Sequence, residues 1–215
     1  MIENSYEILR NAIQISIYSL ALSIILLYLT TLPRRSVFFS ALTFMTLLLI
    51  VNIVPVYRGN SLVEIFRGGI GDVSIASGMF MLLYCAKLFG GSQQLQTPIL
   101  AWWEKLVLLL IGFVLYLSTL GFINVDVYHF GYLSTRMIPF FCGATLISIL
   151  LKRKLGYVWL IAIIGYYIGA QESNNIWDYL YDPILWLFMV SDGLVKISNF
   201  ITNKKYTFIR QYLQR

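Results

Sequence analysis

Seven apolar runs organise the chain, near residues 11–32, 36–56, 73–90, 106–123, 136–151, 155–171 and 176–195. A helix that crosses a bilayer needs about 20 apolar residues. Lipid offers no hydrogen bonds to the backbone, so such runs satisfy their own N–H and C=O groups by folding as helix. Short polar breaks divide them: Pro33-Arg34-Arg35, the stretch from Gly90-Gly91-Ser92 to Pro98, and Lys152-Arg153-Lys154, which reads as a tight turn. The predicted fold class is all-α, a polytopic transmembrane helix bundle of about seven spans. The last run carries Asp178, Asp182 and Asp192, so its alternative is a re-entrant or interfacial segment.

Composition excludes several classes. Of the 215 residues, 59% are hydrophobic and 12% are charged, where a soluble domain carries about 25% charged. The mean hydropathy is +0.75. A cytosolic enzyme, a nucleic-acid-binding module, a disordered tail and a disulfide-rich secreted scaffold do not fit. Residues 1–196 read as a single transmembrane bundle, with no room for a soluble domain. Residues 197–215 read as a cytoplasmic basic amphipathic tail. There Lys204, Lys205 and Arg210 mix with Phe200, Ile201, Tyr206, Phe208 and Ile209, a pattern that suits an anionic leaflet. A contact with a partner protein is the rival reading. The acidic start, with Glu3 and Glu7 before a run long enough to span, predicts a retained first helix rather than a cleaved leader. Cys85 and Cys142 fall in apolar runs and read as small buried hydrophobes, with a disulfide as the alternative. One histidine and no Cys/His cluster predict no metal site, and nothing in the sequence asks for a cofactor.

The basic residues set the orientation. With alternating spans, Arg10, Arg58, Arg67 and Arg136 fall on one side and the other twelve Lys and Arg on the opposite side. By the positive-inside rule the twelve are cytoplasmic, so the N-terminus is outside and the C-terminus inside. Eight of the ten acids fall on the outer side, with only Glu104 and Asp192 inside. Acids contribute little to insertion, so this segregation needs another cause. Asp192 and Lys196 are four apart and predict a local ion pair.

Three outer segments hold the unusual polar residues. Polar groups at a membrane boundary are costly unless paired or wetted, which predicts a shared outward-facing cavity. The candidate residues are Glu64, Arg67, Asp72, Asp126, His129, Arg136, Glu172, Asp178 and Asp182. Gly68, Gly69 and Gly71 precede an apolar run. They read either as a backbone nest that binds phosphate beside Arg67 or as a turn with Asp72 capping the next helix. Ser74, Ser77 and Gly78 have the spacing of close helix packing. Asp126 and His129, three apart, form a general base if paired, or are interfacial loop residues. Asp178 and Asp182 share a helix face if that helix is continuous. They then hold Arg67 and Arg136 in a structural network, or bind a ligand or cation.

Three functions remain open. The first is an accessory or scaffold subunit of an envelope (lipid or glycan) complex in the inner membrane. The second is a small intramembrane enzyme acting on a lipid-linked or phosphate-bearing substrate. The third is a transporter or channel, which the apolar middles of most runs weaken. Expected partners are membrane lipids and a membrane protein or second copy, with no nucleic acid. The Ile-, Tyr-, Asn- and Lys-rich usage fits a bacterial inner membrane protein.

Overall fold

A long apolar run without proline propagates helix unbroken, and the chain begins with one. A computed structural model describes residues 2–30, 36–90, 98–132, 134–196 and 198. In it α1 spans Ile2–Leu29 and α2 spans Val37–Ile53. Ser36 opens α2, its hydroxyl accepting from the Phe39 N–H. A hairpin follows, β1 (Pro55–Tyr57) against β2 (Asn60–Ser61). Arg58 and Gly59, at φ 52° and 86°, form the mirror-image turn that matches strand twist. Ser61 then starts α3 (Leu62–Ile70) with a reciprocal cap. The Ser61 N–H donates to Glu64 Oε2 at 2.7 Å, and the Glu64 N–H donates to Ser61 Oγ at 3.3 Å.

Next come α4 (Ile75–Phe89), α5 (Trp102–Thr119), a 3-10 turn (His129–Tyr132), α6 (Ser134–Leu150), α7 (Lys154–Tyr167) and α8 (Ile176–Leu180). A last helix, α9, covers 183–196. Among the described residues the fold is all-helical apart from the hairpin. α1 packs on α2, α3 and α4, while α7 packs on α4, α6 and α8. The tight turn expected at 152–154 joins α6 to α7: Lys152 takes φ 55°, and the Arg153 N–H donates to the Ser148 carbonyl at 2.9 Å. α5 pairs with α9. A Cβ on Gly112 would overlap the Trp186 ring, Tyr181 Oη donates to the Leu108 carbonyl at 2.6 Å, and Lys105 meets Asp192 at 2.8 Å. Asp192 also forms the predicted pair with Lys196, at 2.9 Å.

Each predicted run holds helix, but length separates them. Two helices, Ser5–Leu29 within α1 and α5, are long and apolar enough to cross a membrane. The apolar helices α2, α4, α6 and α7 have 10–17 residues. The 14 residues of α7 rise only about 21 Å, at about 1.5 Å each, against a hydrocarbon core of about 30 Å. The seventh run is not one helix. It breaks at Tyr181–Asp182, between α8 and α9. Pro183 is the physical reason, because it pushes the residue before it out of the helical region. The tail expected over 197–215 lies outside the described residues, save 198.

Candidate functional site

Two breaks in helix meet at one end of the bundle. The first is Gly71–Ser74, between α3 and α4. Gly71 ends α3 at φ 87°. Val73 and Ser74 are buried, and backbone outside a helix must find other partners there; side chains from three directions supply them. From α1, Tyr18 Oη donates to the Gly71 carbonyl at 2.6 Å. Gln14, fully buried, grips Val73 at both backbone groups: its Oε1 accepts from the N–H at 2.9 Å and its Nε2 donates to the carbonyl at 3.0 Å. Gln171 donates to the same carbonyl at 2.6 Å. Asp182 Oδ2 accepts from the Ser74 N–H at 2.7 Å.

Asp182 belongs to the second break. Its Oδ1 accepts from the Leu185 N–H at 2.7 Å and caps α9. One carboxylate thus serves the starts of α4 and α9, where helix dipoles favour negative charge. Asp178 and Asp182 do not stack on one face, because the helix that would align them stops at Leu180. Asp178 turns instead to the loop that carries Asp126 and His129. Tyr128 Oη lies 2.8 and 2.9 Å from its two oxygens, and Ser173 donates to it in a short bond. Asn175 Nδ2 donates to the Tyr128 carbonyl at 3.0 Å, and Trp177 Nε1 to the Val127 carbonyl at 3.2 Å.

Beside these breaks opens a cleft of about 640 Å³, and its walls include Glu64, Arg67, Asp72, Gln171, Glu172 and Asp178. Five of the nine candidate residues therefore meet there, as four carboxylates and one guanidinium. Arg67 Nε lies 3.6 Å from Asp72, and its Nη2 donates to Asn11 at 2.7 Å. Burial pushes the Asp72 carboxyl above the ordinary aspartate value, and the Glu172 charge adds to this. Arg67 and Arg10 oppose the rise. Burial and the bond to Asp178 likewise push the Tyr128 phenol up.

The other candidates lie elsewhere. Asp182 is 7% exposed and does not line the cleft. Asp126 lines a smaller hollow of about 380 Å³ with Ser118, Asn124 and Tyr128. It accepts from the His129 backbone N–H at 2.9 Å, so it caps the 3-10 turn. The His129 ring packs near Tyr132. Arg136 is exposed at the start of α6, away from the cleft. Two expectations at the glycine segment change as well. Gly68 and Gly69 lie inside α3, and the cap of α4 is Ser74, whose hydroxyl accepts from the Ser77 N–H at 3.0 Å. Among the described residues no group of three His, Cys, Asp or Glu could hold a metal ion.

Sequence reasoning missed Asn11, Gln14 and Tyr18. Gln14 left a signal: an amide inside a spanning run is costly unless something binds it. No protein-family model, curated protein or solved structure matches the chain.

Proposed function

We propose that this chain is a multi-pass inner-membrane protein, N-out and C-in, that serves as a non-catalytic subunit of an envelope complex. Its acidic outer end would meet the partner. The division of residues into two ends draws support from side-chain contacts that respect the two sides assigned from charge. Arg10 reaches Gly169, Arg67 reaches Asn11 and Tyr128 reaches Asp178 at one end. Lys105, Asp192 and Lys196 gather in another group.

One observation carries the choice of subunit over enzyme. Four of the six candidate carboxylates are already occupied by the protein, Glu64 among them as the cap of α3, which leaves Asp72 and Glu172 in the cleft. Asp182 holds two backbone N–H groups, Asp126 holds one, and Asp178 holds Tyr128 and Ser173. A general acid or base must exchange its proton with a substrate within hydrogen-bond reach. Residues clamped in this way build a rigid face instead.

The test is purification in a native nanodisc, followed by mass spectrometry of what accompanies the chain. A stoichiometric membrane-protein partner, lost when Asp72 and Glu172 are replaced together by Asn and Gln, is the expected result. A chain that purifies alone and turns over a lipid-linked substrate would overturn the proposal.

A further inference from the structure

The segment from the end of α2 through α3 has no assigned role, yet it exposes apolar residues in sequence. Along α2, Leu42, Met45, Leu49 and Ile53 lie open, with Ile53 at 70% exposure. Exposure does not stop where the helix stops. Val54, Val56 and Tyr57 are also exposed in and before the hairpin, and so are Phe66 and Ile70 on α3. Phe66 and Ile70 stand one turn apart, so they share a helix face. Glu64 and Arg67, on the same short helix, belong to the cleft wall. α3 is therefore amphipathic, with polar residues at the cleft and an apolar row left uncovered. At the hairpin tip the Arg58 guanidinium lies 5.2 Å from the Tyr57 ring centre. An aromatic ring beside a cation is the pairing found at headgroup depth.

We infer that residues 53–70 form an interfacial element that rests on the lipid surface of the outer leaflet. The apolar row faces the acyl boundary, and Arg58 reaches the phosphates. The exposed apolar residues of α2, directly before this segment in the chain, select lipid as the occupant. The cleft would then open at headgroup level, with α3 as the wall between it and the bilayer. This inference rests on the membrane-spanning reading above.

Single cysteines carrying an environment-sensitive fluorophore test it, in a background with Cys85→Ala and Cys142→Ser. The probes replace Val56 and Phe66. Ile25 in α1 is the lipid reference and Asn124 the aqueous one. The protein is placed in vesicles of phosphatidylethanolamine and phosphatidylglycerol. Quenching by lipids brominated near the headgroup is compared with quenching by iodide. The expected result is that the probes at 56 and 66 lose most of their emission to the shallow brominated lipid and little to iodide. If both quench with iodide as the probe at 124 does, while the probe at 25 stays lipid-quenched, the inference falls and the membrane reading stands. If the probe at 25 also follows iodide, both fall. Protection of 56 and 66 from both quenchers means that protein covers the segment, which also overturns the inference.

Discussion

Replacing Asp182 by Asn changes almost no volume and removes one acceptor, so it isolates what the shared carboxylate does. In the native protein Oδ2 serves Ser74 and Oδ1 serves Leu185, each at 2.7 Å, in a site 7% exposed. The amide of the variant keeps one oxygen and turns an NH2 toward the other N–H. A bond from a backbone N–H to a charged acceptor contributes about 1.5–3 kcal/mol, and a buried N–H left without a partner costs about 1–3 kcal/mol. These figures overlap rather than add, which gives a loss of about 3 kcal/mol. For a chain of about 150–250 residues, 1 kcal/mol moves Tm by about 2–4 °C. The variant should therefore unfold about 6–12 °C below wild type. The assay is apparent Tm in one detergent, read by size-exclusion fluorescence. Glu172→Gln is the control, because that exposed side chain bonds none of the described residues. It should stay within about 0.5 kcal/mol of wild type. If Asp182→Asn matches this control, the carboxylate does not hold the two breaks together.

Other perturbations probe neighbouring contacts. Gln14→Leu and Gln171→Leu should each lower Tm, and the double variant should lose more than their sum, because both amides donate to the same Val73 carbonyl and only the double variant removes both donors; additive losses would contradict a shared role. Gly112→Ala should cost about 1–3 kcal/mol, because the new Cβ would overlap the Trp186 ring; an unchanged Tm would mean that α5 and α9 do not pack there. Asp72 titrates above its unfolded value, so its contribution to stability is present at low pH and is lost as pH rises through the folded value. Asp72→Asn should therefore raise Tm relative to wild type at neutral pH, and the difference should shrink as pH falls through the carboxylate range. A gap that widens on acidification would reverse the sign of this argument.

The helices were legible because apolar runs and their punctuation dictate them. Lys152-Arg153-Lys154 interrupts two runs, and the chain turns there. What was not legible depends on contacts distant in sequence. Gly68, Gly69 and Gly71 read as a nest or a turn, yet Ser61 and Glu64 cap a helix over 62–70, and its Val63 is buried in the core. That the segments carrying Arg67 and Asp178 share a cleft was readable from the boundary positions of their polar residues, whereas Asp126 lines a separate hollow. The pairing of these residues was not readable. Arg67 and Asp178 sit on the same side in sequence, but Arg67 turns to Asp72 and Asn11 while Tyr128 takes Asp178. Charge alone suggested the first pairing; a hydroxyl 50 residues away won because the loop that carries it folds over α8.

The crowding of acids near the cleft has a local cause. A helix start leaves N–H groups without partners, and a carboxylate is a strong acceptor for them. Breaks in α3–α4 and α8–α9 multiply helix starts at the cleft end. Glu64 serves α3, Asp182 serves α4 and α9, and Asp126 serves the 3-10 turn. Elsewhere Glu104 does the same for α5, accepting from the Ala101 N–H at 2.5 Å. Asp178 ties two loops together. Among the acids of the cleft, this leaves Asp72, which among the described residues pairs with Arg67, and Glu172, which is exposed. Capping does not account for these two. They are therefore the positions where a substitution separates recognition from folding, and the partner experiment turns on them for that reason.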